Sequence, residues 1–277
     1  MTINRSDPTP PLVMVFAASD PTGGAGIQAD IMTLAGMGCH ALTVVTALTV
    51  QDTAGVEEVL SMESDFVSEQ ARAVLEDMPV QAFKLGVLGS LENIATIAEI
   101  IADYPNVPVI VDPVIASGRG DEFTSEAMLE ALCELILPQT TVLTPNTLEA
   151  RRLAMFGRDE DEAPGMAECA RRLVRMGCEY VLVTGSHDHS IQVVNTLYSH
   201  SGVVRADNWE RLPGSYHGSG CTLASAMAAA VAHGLDVPRS AREAQEFTWQ
   251  ALANAFRPGM GQFIPDRFFW ARPPDES

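Results

Sequence analysis

Lysine is almost missing from this chain. Of its 17 basic residues, 16 are arginine and one, Lys84, is lysine. A Walker-A phosphate loop places a lysine directly after its glycines. Lys84 lies in QAFKLGV with no such loop before it, which excludes P-loop chemistry. Its setting also suits neither the paired lysine of a protein kinase nor a cofactor Schiff base. Positive charge of any kind is scarce, since 36 acidic residues against 17 basic give −19 at pH 7. A field of that sign repels nucleic acid and anionic lipid, so neither is expected as a partner. No apolar run approaches the ~20 residues of a membrane-spanning helix. The opening MTINRSDPTPP lacks the apolar stretch of a signal peptide. Cys39, Cys133, Cys169, Cys178 and Cys221 are odd in number and widely spaced, and Cys169 and Cys178 stand too far apart for a zinc knuckle. Free thiols in a reducing cytoplasm are expected. There is no G-x-S-x-G nucleophile elbow, because LPGSYHG has the wrong spacing.

What is present can bury a large core, with 47% hydrophobic residues in 277. Apolar β-branched runs alternate with segments of helical spacing. Strands are predicted at 12–19, 41–50, 82–88, 107–114, 140–145 and 180–186. Helices are predicted at 25–37, 63–78, 90–103, 125–137, 146–156, 164–176, 218–234 and 238–257. This rhythm predicts a three-layer αβα sandwich around a mainly parallel sheet. Residues 191–211 break it and read as an antiparallel hairpin turning at His200-Ser201-Gly202. With no repeat or linker, one α/β domain over 1–277 is the economical reading. The Pro-rich first ten residues are expected to be mobile, and 258–277 to pack as a surface tail.

Two glycine clusters could carry chemistry. Gly24–Ala29, GAGIQA, fits the dinucleotide pattern G-x-G-x-x-A, but Asp20-Pro21-Thr22-Gly23 separate it from the strand. A plain helix-starting turn is one alternative. A small-substrate pocket at the carboxyl ends of parallel strands is another, and Gln51-Asp52 would share that end. The second cluster, His217-Gly218-Ser219-Gly220-Cys221, opens an Ala-rich helix. Glycines before a helix let backbone N–H groups converge on an anion at its positive end. The result is a phosphate cradle without lysine, or an oxyanion hole. Cys221, in the first turn, is expected to have its pKa lowered there and to act as base or nucleophile, or else to be a small buried thiol.

Carboxylates and amides at strand ends form a third group. Asp112 closes VPVIVD, and Asn146 and Glu149 open a helix as N-x-x-E. They read as a capping box or as a Mg²⁺ site. Lys84 is read equally as a structural ion pair or a ligand contact. His187 and His189 could bind metal but read better as solvated loop residues. Arg151-Arg152 and Arg171-Arg172 read as solvated helix faces.

AASDPTGGAGIQAD, ALTVVTALTVQDT, FKLGVLGS, VIVDPV, VLTPNTLEA and LPGSYHGSGCTLASA occur in order from Val13 to His233. Together they resemble the hydroxymethylpyrimidine/phosphomethylpyrimidine kinases of thiamine biosynthesis, in the ribokinase-like superfamily. The resemblance implies ATP as cosubstrate, Mg²⁺, a homodimer, and two successive phosphorylations of 4-amino-5-hydroxymethyl-2-methylpyrimidine. It implies Gly218 and Gly220 as an anion hole and Cys221 as catalytic base. Substrate-pocket positions are Ala18, through its backbone, Asp30, Gln51 and Val87. Nucleotide positions are Asn146, Thr184, Gly185 and Ser219, and the metal set is Asp112, Asn146 and Glu149. The chain has Thr184 where some members have a basic residue, and Val87 where Met is common. A pyridoxal kinase of the same fold shares the Cys-type motif. A non-catalytic precursor binder is the third reading, against which the intact Gly218, Gly220, Cys221 and Asn146 argue.

Overall fold

The computed structural model describes residues 9–115, 124–158, 164–185 and 191–271. Most of the Pro-rich start, and His187 and His189, lie outside these described residues. The strands are β1 (Leu12–Ser19), β2 (His40–Gln51), β3 (Val56–Ser61), β4 (Ala82–Leu85), β5 (Val109–Val111), β6 (Val142–Leu143), β7 (Tyr180–Val183), β8 (Gln192–Ser199) and β9 (Gly202–Glu210). They form one sheet in the order β3-β2-β1-β4-β5-β6-β7-β8-β9. The strands from β2 to β7 in that order pair in parallel, and antiparallel pairings close both edges. The hairpin read from 191–211 is β8–β9.

The helices are α1 (Gly26–Gly36), α2 (Ser64–Leu75), α3 (Leu91–Ala102), α4 (Glu126–Ala131), α5 (Thr147–Met155), α6 (Met166–Arg175), α7 (Ser219–Ala232) and α8 (Val237–Ala253). They cover both faces, because the strands are apolar on both. In β1, Val13, Val15 and Ala17 pack toward α1, α7 and α8. Met14 and Phe16 face the other way, into the core shared with α2 to α6. Alternation along a fully buried strand thus feeds two cores at once.

Three expectations need correction. Val56–Ser61, to which the sequence pattern assigns no element, forms the edge strand β3. VEEVLS lies half in water with Glu57 and Glu58 exposed, so it carries no burial signature to read. The single helix expected over 125–137 is α4 followed by a π turn, Leu132–Ile136, and a 3₁₀ turn, Leu137–Gln139. Pro138 lacks an N–H and cannot continue an α-helical ladder. Finally, the C-terminal segment is not merely a surface tail, since residues 264–267 are buried.

Candidate active site

The carboxyl ends of the parallel strands open into a cleft of about 960 Å³. β1 lies where the chain's strand order reverses, the position at which open α/β sheets bind ligands. The two glycine loops meet there. Gly218 has φ +79° and no room for a side chain, because a Cβ would overlap the carbonyl oxygen of Gly24. A Cβ on Gly24 would in turn overlap the His217 ring. Asp20 joins the loops: it accepts hydrogen bonds from Ala25 N (2.7 Å), Thr22 N (2.8 Å) and His217 Nε2 (2.8 Å). These bonds outweigh burial and hold its carboxyl below the usual carboxylate range.

α7 begins at Ser219, and Cys221 stands in its first turn. Gly26, at the start of α1, and the Asp112 carboxylate both lie close to the Cys221 thiol. Two helix N-termini therefore face this thiol. Its pKa is nonetheless not lowered, as position in a first turn suggests. Burial pushes it up to about 12; Lys84 opposes that shift, while Asp112 and Asp30 add to it. Burial, with the two carboxylates adding to it, overrides the helix ends.

Below lies a charged layer. Lys84 Nζ donates to Asp30 at 2.9 Å, with both side chains fully buried. Asp30 also accepts from Ser225 Oγ at 2.7 Å. Burial disfavours the Lys84 charge, but Asp30, Cys221 and Asp112 around it hold the ammonium above its ordinary value. Lys84 is thus both an ion-pair partner and part of the cleft floor. Asp112 is pushed up to about 6 by burial, against the pull of Lys84. Its Oδ2 is buried without a hydrogen-bond partner. Glu149 is pushed up to about 8, by burial and then by Asp112.

Asn146 and Glu149 form the capping box in full. Asn146 Oδ1 accepts from Leu148 N (2.9 Å) and Glu149 N (3.0 Å), and Glu149 Oε2 accepts from Asn146 N (2.9 Å). Capping has claimed the Asn146 oxygen, so that side chain is turned to the helix rather than to a metal. Among the described residues no cluster of three or more metal-binding side chains converges. The orphaned Asp112 oxygen beside Glu149 still fits a hard divalent cation, because positive charge there would relieve both raised carboxyls. A Mg²⁺ bound by two carboxylates and completed by phosphate and water matches that donor set.

At the outer end, Thr184 bridges to Asn146. The Gly185 N–H donates to Asn195 Oδ1 at 3.1 Å. Asn195 Nδ2 and Trp209 Nε1 both donate to Gln245 Oε1, and Gln245 Nε2 donates to Asp207. The structure brings Ala18, Gln51, Val87, Asp112, Asn146, Glu149, Thr184, Gly218, Ser219, Gly220 and Cys221 to the cleft wall. Two expected residues are not on it. Asp30 is sealed beneath the floor by its pairing with Lys84, and Gly185 packs against Val194 of β8. Asp20, His217 and Arg267, which link the glycine loops, carry no separable sequence signal. Their partners are up to 244 positions away.

Comparison with known proteins places this geometry. A family model described as phosphomethylpyrimidine kinase matches residues 20–266. A hydroxymethylpyrimidine/phosphomethylpyrimidine kinase of Mycobacterium tuberculosis is 40% identical over 256 residues, covering 91% of this chain and 92% of the relative. A phosphomethylpyrimidine kinase structure from Clostridium difficile is 29% identical with a TM-score of 0.74, covering 87% of this chain and 99% of its own. A pyridoxal kinase from Staphylococcus aureus in complex with ADP superposes with a TM-score of 0.85 at 26% identity, over 96% of each chain.

Proposed function

The chain belongs to the phosphomethylpyrimidine kinase family, and from that premise we propose that it transfers the γ-phosphoryl group of ATP to 4-amino-5-hydroxymethyl-2-methylpyrimidine and then to the resulting monophosphate, in thiamine biosynthesis. The observation that carries this reading is the seat of Cys221: in the first turn of α7, on the cleft wall that Asp112 and Gly26 of α1 also line.

Phosphoryl transfer asks for positioning and charge stabilisation more than for covalent chemistry. The free N–H groups of Gly218, Ser219 and Gly220 at the α7 N-terminus supply donors for the transferring group. Gln51, at the end of β2, offers one acceptor and two donors, enough to accept from a pyrimidine amino group and donate to a ring nitrogen. Val87 and the Ala18 backbone complete the acceptor pocket. Asn146 and Thr184 lie on the nucleotide side. A cation held by Asp112 and Glu149 would neutralise phosphate charge. Cys221 rests as a thiol; positive charge bound beside Asp112 and Glu149 would let it release that proton to solvent, and the thiolate would then take the alcohol's proton. We extend the same reading to a homodimer in the cytoplasm, which analytical ultracentrifugation and cell fractionation would check.

Incubation with ATP, Mg²⁺ and the hydroxymethylpyrimidine should give the monophosphate and then the diphosphate. Cys221→Ala should cut the rate by roughly 10²–10⁴, the range for losing a general base, with ATP binding retained. Absence of turnover by well-folded protein would sink the reading. Pyridoxal phosphorylation is the second reading, favoured by the pyridoxal kinase superposition. Comparing kcat/KM for the two alcohols decides between them.

A further inference from the structure

Arg267 is a charged side chain that the proposed chemistry leaves without a role. It comes from the C-terminal segment, is 2% exposed, and is among the largest fully buried side chains. A guanidinium so placed must find acceptors or be costly to bury. It finds them on both glycine loops. Nη2 donates to Gly24 O at 2.5 Å, and Nη1 reaches Gly23 O at 3.5 Å. Nε donates to Thr222 Oγ1 at 3.1 Å, and that hydroxyl in turn donates a hydrogen bond to Gly218 O at 2.8 Å. Burial brings the guanidinium down to about 10, against Cys221, Asp30, Asp20 and Asp266. It therefore stays charged at neutral pH.

The loop geometry follows from these bonds. Arg267 takes the carbonyls of residues 23 and 24. Asp20 takes the N–H of Ala25 and, through His217, the start of the second loop. Held between an anion and a cation, the first loop keeps Gly26 and the start of α1 on the cleft wall beside Cys221. Thr222 is the next residue after Cys221, so the Nε arm acts on the same helical turn. The main chain of Arg267 packs closely on α1, since a Cβ on Gly36 would stand 2.8 Å from its carbonyl oxygen.

We propose that Arg267 is a positioning residue for phosphoryl transfer, a clamp from the C-terminal segment that holds the two glycine loops in register over Cys221. The inference rests on the kinase reading for its rate, but its geometric content does not. The test therefore has two readouts. Alkylation of Cys221 by iodoacetamide, followed by mass spectrometry, reports the loop contact without any turnover; the other four cysteines are buried. In Arg267→Gln this alkylation should quicken at least about fivefold as the loop opens locally. In kinetics, kcat should fall about 10–100-fold, the size expected when reacting groups are misplaced by an ångström, with KM for ATP nearly unchanged. Arg267→Lys should recover part of kcat, and added guanidinium ion should recover part of it in Arg267→Ala. Thr222→Val breaks only the Nε arm and should show the same changes, smaller; it carries the test if the Arg267 variants do not fold. Phe268→Ala and Trp270→Ala, at exposed neighbours, should change neither readout. Unaltered alkylation together with a kcat within about threefold of the parent would overturn the clamp. Unaltered alkylation with a loss of kcat that follows only the fall in Tm would do the same. If the parent shows no kinase activity but alkylation quickens in the variant, the clamp stands and the kinase reading fails.

Discussion

Two carboxylates are clamped on opposite sides of the cleft, and they are clamped differently. Asp30 lies under the cleft floor with no solvent contact and, among the described residues, pairs with Lys84 and Ser225. Asp207 lies behind the outer end, where it accepts from Arg205, Arg242 and Gln245. Those arginine side chains are 30% and 43% exposed. The inner pair has no water to fall back on, so its charges must stay matched. The outer cluster has more bonds, but its cations can rehydrate. Rigidity therefore concentrates at the end where the proposed reading moves a proton, and tolerance at the end where it admits a nucleotide. The lone lysine falls into place with this contrast: it neutralises a buried carboxylate under the floor, and on the proposed reading the phosphates would be left to backbone amides.

The largest expected effect comes from breaking the inner pair. Asp30→Asn leaves a buried ammonium without its counter-charge, which typically costs about 3–5 kcal/mol. Urea unfolding should show a loss of that order. Adding Lys84→Met to Asp30→Asn should return most of it, because the stranded charge and not the missing bond is the penalty. A double variant as unstable as the single one would contradict this account of the floor.

The same contrast explains what could be read from sequence. Strand and helix alternation, the antiparallel hairpin and the glycine loops are local patterns, and they sit where their spacing puts them. Asn146 and Glu149 carried two readings, and the cap is visible in the structure while the cation is supported by the orphaned oxygen of Asp112. Asp30 was legible as a member of the site region but not as a sealed ion pair. Its depth depends on Lys84, 54 positions away. Cys221 shows the same limit more sharply. Its place at a helix start is local and points one way, but the burial that reverses the shift, and the carboxylates that add to it, come from distant segments. Arg267 has no pattern at all, because its partners are two backbone carbonyls and a threonine hydroxyl in distant segments.

Between the two clamps stands Glu149, whose carboxyl is raised from an ordinary 4.5 to about 8. From pH 4.5 to about 8 the folded chain keeps a proton that the unfolded chain has released. The folded state thus binds more protons, and stability falls as pH rises through that window. Glu149→Gln cannot release a proton, so the stability of the parent relative to this variant should decline from pH 5 to 8. Mg²⁺ selects the ionised carboxylate, so its stabilisation of the parent should be larger at pH 8 than at pH 6 and should shrink in Glu149→Gln. Thermal unfolding across that pH range, with and without Mg²⁺, checks both. A parent-minus-variant difference that is flat in pH would place the Glu149 proton elsewhere.

Breaking the outer cluster should be milder. Asp207→Asn removes a charge from between two arginines, and both can turn to water. The loss expected is about 1–2 kcal/mol, that of hydrogen bonds to charged partners with no stranded buried ion. Its functional trace should run along the chain of bonds from Gln245 through Asn195 to the Gly185 N–H, and thus appear in ATP binding rather than in kcat. Asn195→Ala cuts that chain one step nearer the cleft while leaving Asp207 with its arginines. It should therefore raise KM for ATP at least as much as Asp207→Asn while costing less stability. The opposite ranking, with the Asp207 change dominating both measurements, would mean that the outer cluster holds the sheet edge and not the nucleotide end, and the contrast between the two sides of the cleft would reduce to one of burial alone.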